Sequence, residues 1–284
     1  MSWLLTFQRN NDHSIKIWNV DKWRSDGSIK LPAPINHCSV SPDKQSMVCV
    51  GDTSDVFLFD ISTTGSFHHQ ATFTASNDSA FSTSFSCTSS MFAVASQDGV
   101  ISVWDRRFAR NATPESSSSS SSGKLKTLKT TRAGSPYGAA RCVKFSQGPL
   151  DLLMFTEQKE YVHLVDARTF DKTQILSLGE LEDGVREPDI GGACFSSDCK
   201  SVLVGSERAI WQWVESPLYD ANIRKLIRGV EKCFRVLNCI EFGFIHIVDM
   251  CEGVIGASQG LSSILHIGFC TYTEINLHFP TSIL

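Results

Sequence analysis

Two short stretches of this sequence combine residue types that suit recognition of another protein. Residues 104–107 read WDRR and residues 165–168 read VDAR, so an aspartate and an arginine recur two positions apart. An arginine side chain offers a planar, permanently charged fork for such contacts. The candidate partner-binding residues are Trp104, Asp105, Arg107, Asp166 and Arg168. The alternative is structural: the tryptophan packs in a core, and the charged residues serve the end of a strand.

The sequence lacks the common signatures of catalysis and metal binding. It has no GxSxG, HExxH or GxxxxGK[ST] motif. None of its ten cysteines forms a CxxC pair, and its eight histidines lack the spacing of a metal site. His37 and His163 alternate with apolar neighbours, which places them at the edge of a core. We therefore predict that the protein is not an enzyme and has neither a cofactor nor a metal site. The alternative from another functional class is an enzyme built on the fold derived below.

The composition favours a cytoplasmic or nuclear protein. The net charge is -4 at pH 7, so a nucleic acid is not the expected partner. Scattered cysteines favour reduced thiols, and the first residues lack the basic region of a secretory signal. Residues 253–273 contain no Asp, Glu, Lys or Arg and are long enough to span a bilayer. Their polar side chains and the lack of a flanking basic cluster argue against a membrane span.

The first candidate stretch lies at the end of a predicted β-hairpin. Residues 91–107, MFAVASQDGVISVWDRR, contain two runs of strand-forming residues joined by Asp98 and Gly99. Asp-Gly is a favoured two-residue turn because glycine tolerates positive φ. The hairpin therefore positions residues 104–107 where its second strand ends.

The same hairpin pattern recurs along most of the chain. Bulky residues near the ends of the second strands are Trp18, Phe59, Trp104, Val165 and Trp213. Their intervals of 41, 45, 61 and 48 residues are typical of a β-propeller, in which each unit is one sheet. From the second unit on, a further strand precedes each hairpin, and HQATFTA and TQILSL are candidate fourth strands. We predict units that start near residues 1, 34, 79, 138 and 190, within residues 1–214.

A serine tract accounts for the longest interval. Residues 116–122 are consecutive serines, and such a tract cannot bury apolar surface. We predict a disordered loop over residues 111–135. Basic residues on both sides leave a regulatory role through phosphorylation open.

The sequence resembles the WD-repeat (WD40) proteins. Trp104-Asp105 is the dipeptide that names the family, and Asp12 and Asp98 precede Trp18 and Trp104 by six residues, as the turn aspartate of the repeat does. The resemblance implies an all-β fold, a propeller of antiparallel four-stranded blades. It also implies that Asp12, Trp18, Asp98 and Trp104 are structural turn and blade residues. The Gly-His dipeptide of the repeat is absent, so the family's Asp-His-Ser-Trp hydrogen-bond network is incomplete here.

A narrower resemblance lies in the fourth unit. Residues 148–171 are similar to a short uncharacterised domain of fungal and plant WD-repeat proteins marked by a DLL motif, here Asp151-Leu152-Leu153. We expect Asp151 to cap a turn and a leucine to enter the core. A peptide-docking role is the alternative.

The pattern fails at both ends of the sequence. The chain starts in the middle of a unit and only five units are visible, so we expect an incomplete propeller from a truncated or alternatively ended chain. Residues 215–284 form an atypical tail. Three interpretations of this tail stay open: one or two degenerate blades, a separate appended element, or an atypical end from alternative splicing or a misplaced gene boundary. Apolar residues recur there at helical spacing, which favours an amphipathic helix: Ile223, Leu226, Ile227, Val230 and Phe234.

These features predict a non-catalytic protein-interaction scaffold. Propeller blades hold variable loops in fixed positions, and the loops bind other proteins in a multiprotein complex. The Trp-Asp-x-Arg stretch also resembles the short box by which many WD proteins dock to the adaptor of a cullin-RING ubiquitin ligase. A substrate receptor of such a ligase is therefore the alternative function, with Arg107 as its key residue. The oligomeric state stays open.

Overall fold

The structure, a computed structural model, describes residues 3–7, 13–19, 24–109, 123–148, 150–178, 189–206, 209–215 and 227–235. These residues form five antiparallel sheets and one short helix, α1 (Arg106–Ala109). Each sheet is a meander in which strands that follow one another in sequence pair with each other. The predicted all-β fold of antiparallel four-stranded units is confirmed.

The first sheet has three strands in the described part of the chain, and the other four sheets have four strands each. The first sheet contains β1 (Trp3–Phe7), β2 (Ser14–Asn19) and β3 (Arg24–Lys30). The second contains β4 (Ile35–Val40), β5 (Ser46–Gly51), β6 (Thr53–Ile61) and β7 (Phe67–Thr74). The third contains β8 (Ala80–Phe85), β9 (Met91–Ser96), β10 (Val100–Asp105) and β11 (Lys124–Lys129). The fourth contains β12 (Ala140–Phe145), β13 (Leu152–Glu157), β14 (Tyr161–Asp166) and β15 (Thr173–Ser177). The fifth contains β16 (Ile190–Phe195), β17 (Ser201–Ser206), β18 (Ala209–Glu215) and β19 (Ile227–Arg235).

One serine-based turn joins the first and second strands of four sheets. In each turn, the hydroxyl of a serine accepts a hydrogen bond from the backbone N–H of the first residue of the second strand, at 2.9 to 3.0 Å. These serines are Ser41, Ser86, Ser146 and Ser196. The hydroxyl replaces a ladder bond at the point where the chain reverses, which explains the serine-rich turns of the sequence.

The sheets are packed face to face around a common set of inner strands. The first strands β4, β8, β12 and β16 contact one another in that order. On β12, the N–H groups of Val143 and Phe145 donate to Ser82 Oγ and Ser84 Oγ at 3.2 and 3.0 Å. These bonds satisfy a strand edge that has no ladder partner. Four apolar clusters fill the spaces between adjacent sheets, so each sheet is buried against its neighbours.

Two expectations from the sequence are wrong in the described residues. Residues 111–135 are not one disordered loop, because Lys124–Lys129 is strand β11 and pairs with β10. The sequence KLKTLK alternates with the period of a strand, and one of its faces is partly covered. Residues 110–122, which include the serine tract, lie outside the described residues.

The amphipathic helix is the second wrong expectation. Residues Ile227–Arg235 form strand β19, which pairs with β18 and supplies the fourth strand of the fifth sheet. A short apolar run fits either periodicity, and an unpaired strand edge nearby decides the outcome. No helix in the described part of the chain is long and apolar enough to cross a membrane; residues 253–273 lie outside that part.

Candidate protein-docking site

The meander topology gathers the candidate residues at one end of the sheets. Connections after first and third strands lie at one end of a sheet, and connections after second strands lie at the other. Adjacent first strands run in the same direction, because Asn36 Nδ2 donates to Ala80 O at 3.1 Å near one end and Asp43 N–H donates to Ser89 Oγ at 3.0 Å near the other. We call the end after the first and third strands the turn face. Both Asp-x-Arg stretches follow third strands and therefore lie on the turn face.

Asp105 and Arg107 form a two-pronged ion pair on the turn face. Arg107 Nε donates to Asp105 Oδ1 at 3.0 Å, and Arg107 Nη2 donates to Asp105 Oδ2 at 2.6 Å. The backbone N–H of Arg107 also donates to Asp105 Oδ1 at 2.9 Å. The aspartate is buried, whereas the arginine side chain is 74% exposed. The hydrogen bond from Arg107 is the main reason why the pKa of Asp105 is lowered, so the carboxylate stays charged and holds the guanidinium.

Asp166 and Arg168 repeat this geometry in the fourth sheet. Arg168 Nε and Nη2 donate to the two carboxylate oxygens of Asp166 at 2.9 and 2.7 Å, and its N–H donates at 3.0 Å. Asp166 is buried, and the Arg168 side chain is 56% exposed. The hydrogen bond from Arg168 is again the main cause that lowers the pKa of Asp166. The two stretches therefore present the same element, a largely exposed arginine that is held by a buried aspartate.

Two exposed apolar side chains of the third sheet also lie at the turn face. Lys126 Nζ on β11 lies 3.6 Å from Asp171 Oδ1. Asp171 follows Arg168 in the sequence, so this ion pair connects the third sheet with the fourth. Phe108 is 58% exposed and directly follows Arg107. Leu125 on β11 is 47% exposed. We call the surface formed by Arg107, Phe108, Leu125, Lys126 and Arg168 the fork surface.

Arg106, the free position of the WDRR stretch, links two sheets. Its Nη2 and Nη1 atoms donate to the carboxylate of Asp43 in the second sheet at 2.6 and 3.0 Å. Burial alone would raise the pKa of Asp43, but hydrogen bonds from Arg106 and Ser41 outweigh it and lower the pKa to about 2. This pair is not predictable from the sequence, because the two residues are 63 positions apart. It anchors the start of α1 and thereby the backbone that presents Arg107 and Phe108.

Trp104 is a core residue and offers no surface to a partner. Its side chain is fully buried and stacks on Phe92 with ring centroids 5.2 Å apart and an interplanar angle of 16°. Lys124 Nζ lies 5.1 Å from the centroid of its ring. The indole N–H is buried and has no hydrogen-bond partner among the described residues. Trp104 therefore fits its structural role, and Arg107 is the exposed residue of the WDRR stretch.

The other predicted turn and blade residues are distributed over two sheets. Asp98 Oδ1 accepts the N–H of Val100 and Asp98 Oδ2 accepts the N–H of Asn77, both at 3.2 Å, so this carboxylate fixes the hairpin turn. Trp18 lies on β2 and pairs with Leu4 on β1. Asp12 lies outside the described residues.

The DLL motif serves the fourth sheet. Asp151 has a positive φ of 46° at the end of the turn, and its carbonyl accepts the N–H of Ala167 at 2.7 Å. Leu152 and Leu153 are both buried. The motif therefore sets the start of β13 and fills the core on both faces of that strand.

A buried charged cluster in the fourth sheet was not predicted. Glu157 is fully buried, and its carboxylate accepts hydrogen bonds from Thr131 N–H at 2.7 Å, Thr131 Oγ1 at 2.5 Å, Arg132 Nε at 2.9 Å and His163 Nε2 at 2.8 Å. Arg132 Nη2 also donates to the carbonyl of Lys159 at 2.6 Å. The cluster ties the hairpin of the fourth sheet to the loop that enters it from the third sheet.

The sequence does contain a signal for this cluster. Glu157 ends the apolar strand LLMFTE at a place where the equivalent strands of other sheets end in Ser96, Ser206 or Gly51. A carboxylate on a buried strand needs partners, and His163 lies on the next strand. The partners Thr131 and Arg132 lie in the preceding loop, and their distance from Glu157 in the sequence does not indicate this contact.

His37 is buried at the boundary of two sheets. Its Nδ1 accepts the N–H of Thr83 at 3.3 Å, which requires an unprotonated Nδ1. Burial, with a smaller contribution from the charge of Lys144, lowers the pKa of His37 to about 3. Within the described ranges, no group of three His, Cys, Asp or Glu side chains is arranged to hold a metal ion.

A solved structure with the same architecture identifies the fold. One chain in the crystal structure of the mitotic checkpoint complex, a WD40 propeller, superposes with a TM-score of 0.57 at 13% sequence identity. The superposition covers 72% of this chain and 56% of that chain. The fold is that of a WD-type β-propeller. The five sheets are therefore propeller blades, and such a fold is in general a scaffold for protein interactions.

Two fungal proteins are similar to this WD-type chain in sequence. An uncharacterized protein of Schizosaccharomyces pombe is 37% identical over 211 residues, which cover 72% of this chain and 56% of the relative. An uncharacterized protein of Saccharomyces cerevisiae is 28% identical over 180 residues, which cover 52% of this chain and 23% of the relative. The chain thus spans about half of the first relative and about a quarter of the second.

A family model for an uncharacterised protein domain (DUF2415) matches residues 138–177. These residues coincide with the fourth blade, β12 to β15. They contain the DLL motif, Glu157, His163 and the second Asp-x-Arg pair. In this blade the Glu157 cluster holds the incoming loop to the hairpin.

Proposed function

We propose that this protein is a non-catalytic scaffold whose fork surface holds a partner protein in a multiprotein complex. The observation that supports the proposal is the duplicated geometry of Arg107 and Arg168. Each guanidinium is held by a buried aspartate, and each arginine side chain is more than half exposed. Two such groups on neighbouring blades form a fixed pattern that a partner can recognise.

The physical advantage of this arrangement is preorganisation. A free arginine loses much rotamer freedom when it binds, whereas Arg107 and Arg168 are already held by two side-chain hydrogen bonds each. Guanidinium N–H groups suit carbonyl or carboxylate acceptors, and the side chains of Arg107 and Arg168 are 74% and 56% exposed. Phe108 adds an exposed aromatic side chain, the residue type that together with arginine dominates binding energies at interfaces.

A substrate receptor of a cullin-RING ubiquitin ligase is the more specific form of this proposal. The resemblance of Trp104-Asp105-Arg106-Arg107 to the adaptor-docking box suggests it, and the exposed Arg107 beside the buried Asp105 supports it. The second copy in the fourth blade offers an equivalent contact through Arg168. In this form the partner at the fork surface is the ligase adaptor.

The test compares partners of the full chain and of the Arg107→Ala/Arg168→Ala variant. Affinity purification and mass spectrometry should recover partners with the parent chain and lose them with the variant, because each truncation weakens such a contact by about tenfold. The matched control is Arg141→Ala, since Arg141 is also exposed but stacks on Phe81 of an inner strand.

The outcome separates the alternatives. Loss of a ligase adaptor in the double variant alone supports the receptor function, and loss of other partners supports the general scaffold. If the double variant keeps every partner while its melting temperature equals that of the parent, the fork surface is not the docking site.

We also propose a cytoplasmic or nuclear location and kinship with the WD-repeat proteins that have the short DLL-motif domain. No disulfide joins the described cysteines, which supports the proposed location. The domain match over residues 138–177 and the fungal relatives support the kinship. Retention of a tagged full chain in the secretory pathway would overturn the proposed location.

A further inference from the structure

Two cysteines of the second blade face each other across a hairpin. Cys38 on β4 and Cys49 on β5 are direct partners in the antiparallel register. Side chains at directly opposite positions project to the same face of a sheet. Both thiols therefore lie in the same apolar cluster, between the first and second blades.

The hydrogen-bond pattern of the hairpin determines how close the two thiols are. The N–H of Ser41 donates to the carbonyl of Ser46 at 2.8 Å, so these two residues are a hydrogen-bonded pair. Bonded and non-bonded pairs alternate along an antiparallel ladder, and the register between them is regular. Cys38 and Cys49 are therefore a non-bonded pair.

Non-bonded pairs bring the two strands closest together. Their Cα atoms are about 4.5 Å apart, which lies within the range of about 4.4–6.8 Å that a disulfide bridges. A disulfide between Cys38 and Cys49 therefore requires little movement of the backbone. Neither cysteine forms a disulfide with another described residue in this structure.

We propose that Cys38 and Cys49 are a dithiol that hydrogen peroxide oxidises to a disulfide in the folded protein. The thiolate of one cysteine attacks a peroxide oxygen, which breaks the O–O bond, forms a sulfenic acid and releases the other oxygen as water after it takes up a proton. The second thiol then attacks the sulfenic sulfur and forms the S–S bond, and the sulfenic oxygen leaves as a second water. Two thiols are thereby oxidised, and one peroxide is reduced to two waters.

The surroundings of the pair favour the second step over competing reactions. The thiols are buried among Ile15, Met47, Phe57 and Phe59, so a sulfenic acid formed there meets the opposite cysteine before a solvent thiol. Hydrogen peroxide reaches the pair through local opening of the hairpin. Because the reagent is small and uncharged, a brief opening is enough. The disulfide then closes a covalent link across the first hairpin of the blade.

Peptide mapping tests the proposal on the purified full chain. Lys44 lies between the two cysteines, so trypsin separates residues 31–44 from residues 45–106. After treatment with hydrogen peroxide and digestion without reductant, these two peptides should stay joined through Cys38 and Cys49. Reduction should separate them.

The controls identify which thiols react. Residues 45–106 also contain Cys87, which is partly exposed on the turn of the third blade. Cys87→Ala should leave the cross-link intact, and Cys38→Ala should abolish it. A cross-link from Cys38 to Cys87 in the parent chain would overturn the proposal, as would alkylation of both Cys38 and Cys49 when the peroxide-treated chain is unfolded. The mapping of the parent chain decides the question even if a variant fails to fold.

Discussion

The buried carboxylate of Glu157 offers the sharpest test of how the fourth blade is held together. Glu157→Gln keeps the size of the side chain but removes its charge and replaces one acceptor oxygen by an N–H donor. Thr131, Arg132 and His163 then face a neutral group that cannot accept all their hydrogen bonds. The Arg132 guanidinium loses its charged partner.

Two routes give the size of the effect. Removing one partner of a buried charge pair costs about 3–5 kcal/mol of stability. Burial alone would raise the pKa of Glu157, but hydrogen bonds from His163, Thr131 and Arg132 outweigh it and lower the pKa from 4.5 to about 2. At about 1.4 kcal/mol per pKa unit, this shift corresponds to about 3 kcal/mol in favour of the charged form. We therefore expect Glu157→Gln to lower the free energy of unfolding by about 3–5 kcal/mol.

The pH dependence follows from the same shift. Because the pKa of Glu157 is lower in the folded than in the unfolded chain, its stabilisation is complete above the unfolded value of 4.5 and disappears as the pH falls from 4.5 towards about 2. The parent chain should lose this stability over that range. Glu157→Gln should lack that component of the acid dependence.

Urea unfolding followed by tryptophan fluorescence measures both effects on the full chain. The matched control is Glu160→Gln, the same chemical change at a partly exposed residue that accepts a hydrogen bond from Ser177 Oγ. We expect the control to cost less than about 1 kcal/mol. If Glu157→Gln costs no more than Glu160→Gln at pH 7, the cluster does not stabilise the blade and the reasoning fails.

Two further predictions concern the third blade and the loop that follows it. Trp104→Ala should cost about 3–5 kcal/mol, whereas Trp104→Phe should cost roughly half or less, because the indole N–H has no partner to lose; equal urea midpoints for the two variants would contradict this. A Cβ on Gly138 would collide with the carbonyl oxygen of Arg132, whereas a Cβ on Gly134 meets open space and incurs only the strain of a φ of +79°. Gly138→Ala should therefore lower the melting temperature more than Gly134→Ala, whose cost is about 1–2 kcal/mol, and the reverse order would show that the loop shifts freely.

The fold was predictable because its pattern is local and repeated. An Asp98-Gly99 turn between two apolar runs indicates a hairpin without knowledge of the rest of the chain. The fourth strands β7 and β15 were found as HQATFTA and TQILSL for the same reason. Five weak copies of one pattern support each other where a single copy would be ambiguous.

The errors occurred where a local pattern competes with a tertiary contact. Residues 227–235 have apolar spacing that a helix would satisfy, but pairing with β18 satisfies their backbone in a strand. The polar, lysine-rich composition of β11 predicts a loop continuous with the serine tract. Pairing with β10 and the contact of Lys124 with the Trp104 ring give this strand its place in the blade.

The candidate site was predictable only in part. Arg107 and Arg168 follow from a four-residue pattern that the sequence displays twice. The pair of Arg106 and Asp43 and the cluster around Glu157 join residues that are distant in sequence, and their spacing depends on loop lengths that no local rule fixes.

The fork surface is a property of three blades rather than of one motif. Asp43 in the second blade holds Arg106, which fixes the backbone of Arg107 in the third blade. Lys126 of the third blade contacts Asp171 of the fourth, beside Arg168. Side chains on adjacent inner strands also cap each other's edges, so one blade cannot move without breaking buried hydrogen bonds of its neighbour. The packing of the blades therefore sets the distance between the guanidinium groups of Arg107 and Arg168, and the proposed partner would meet both at one fixed spacing.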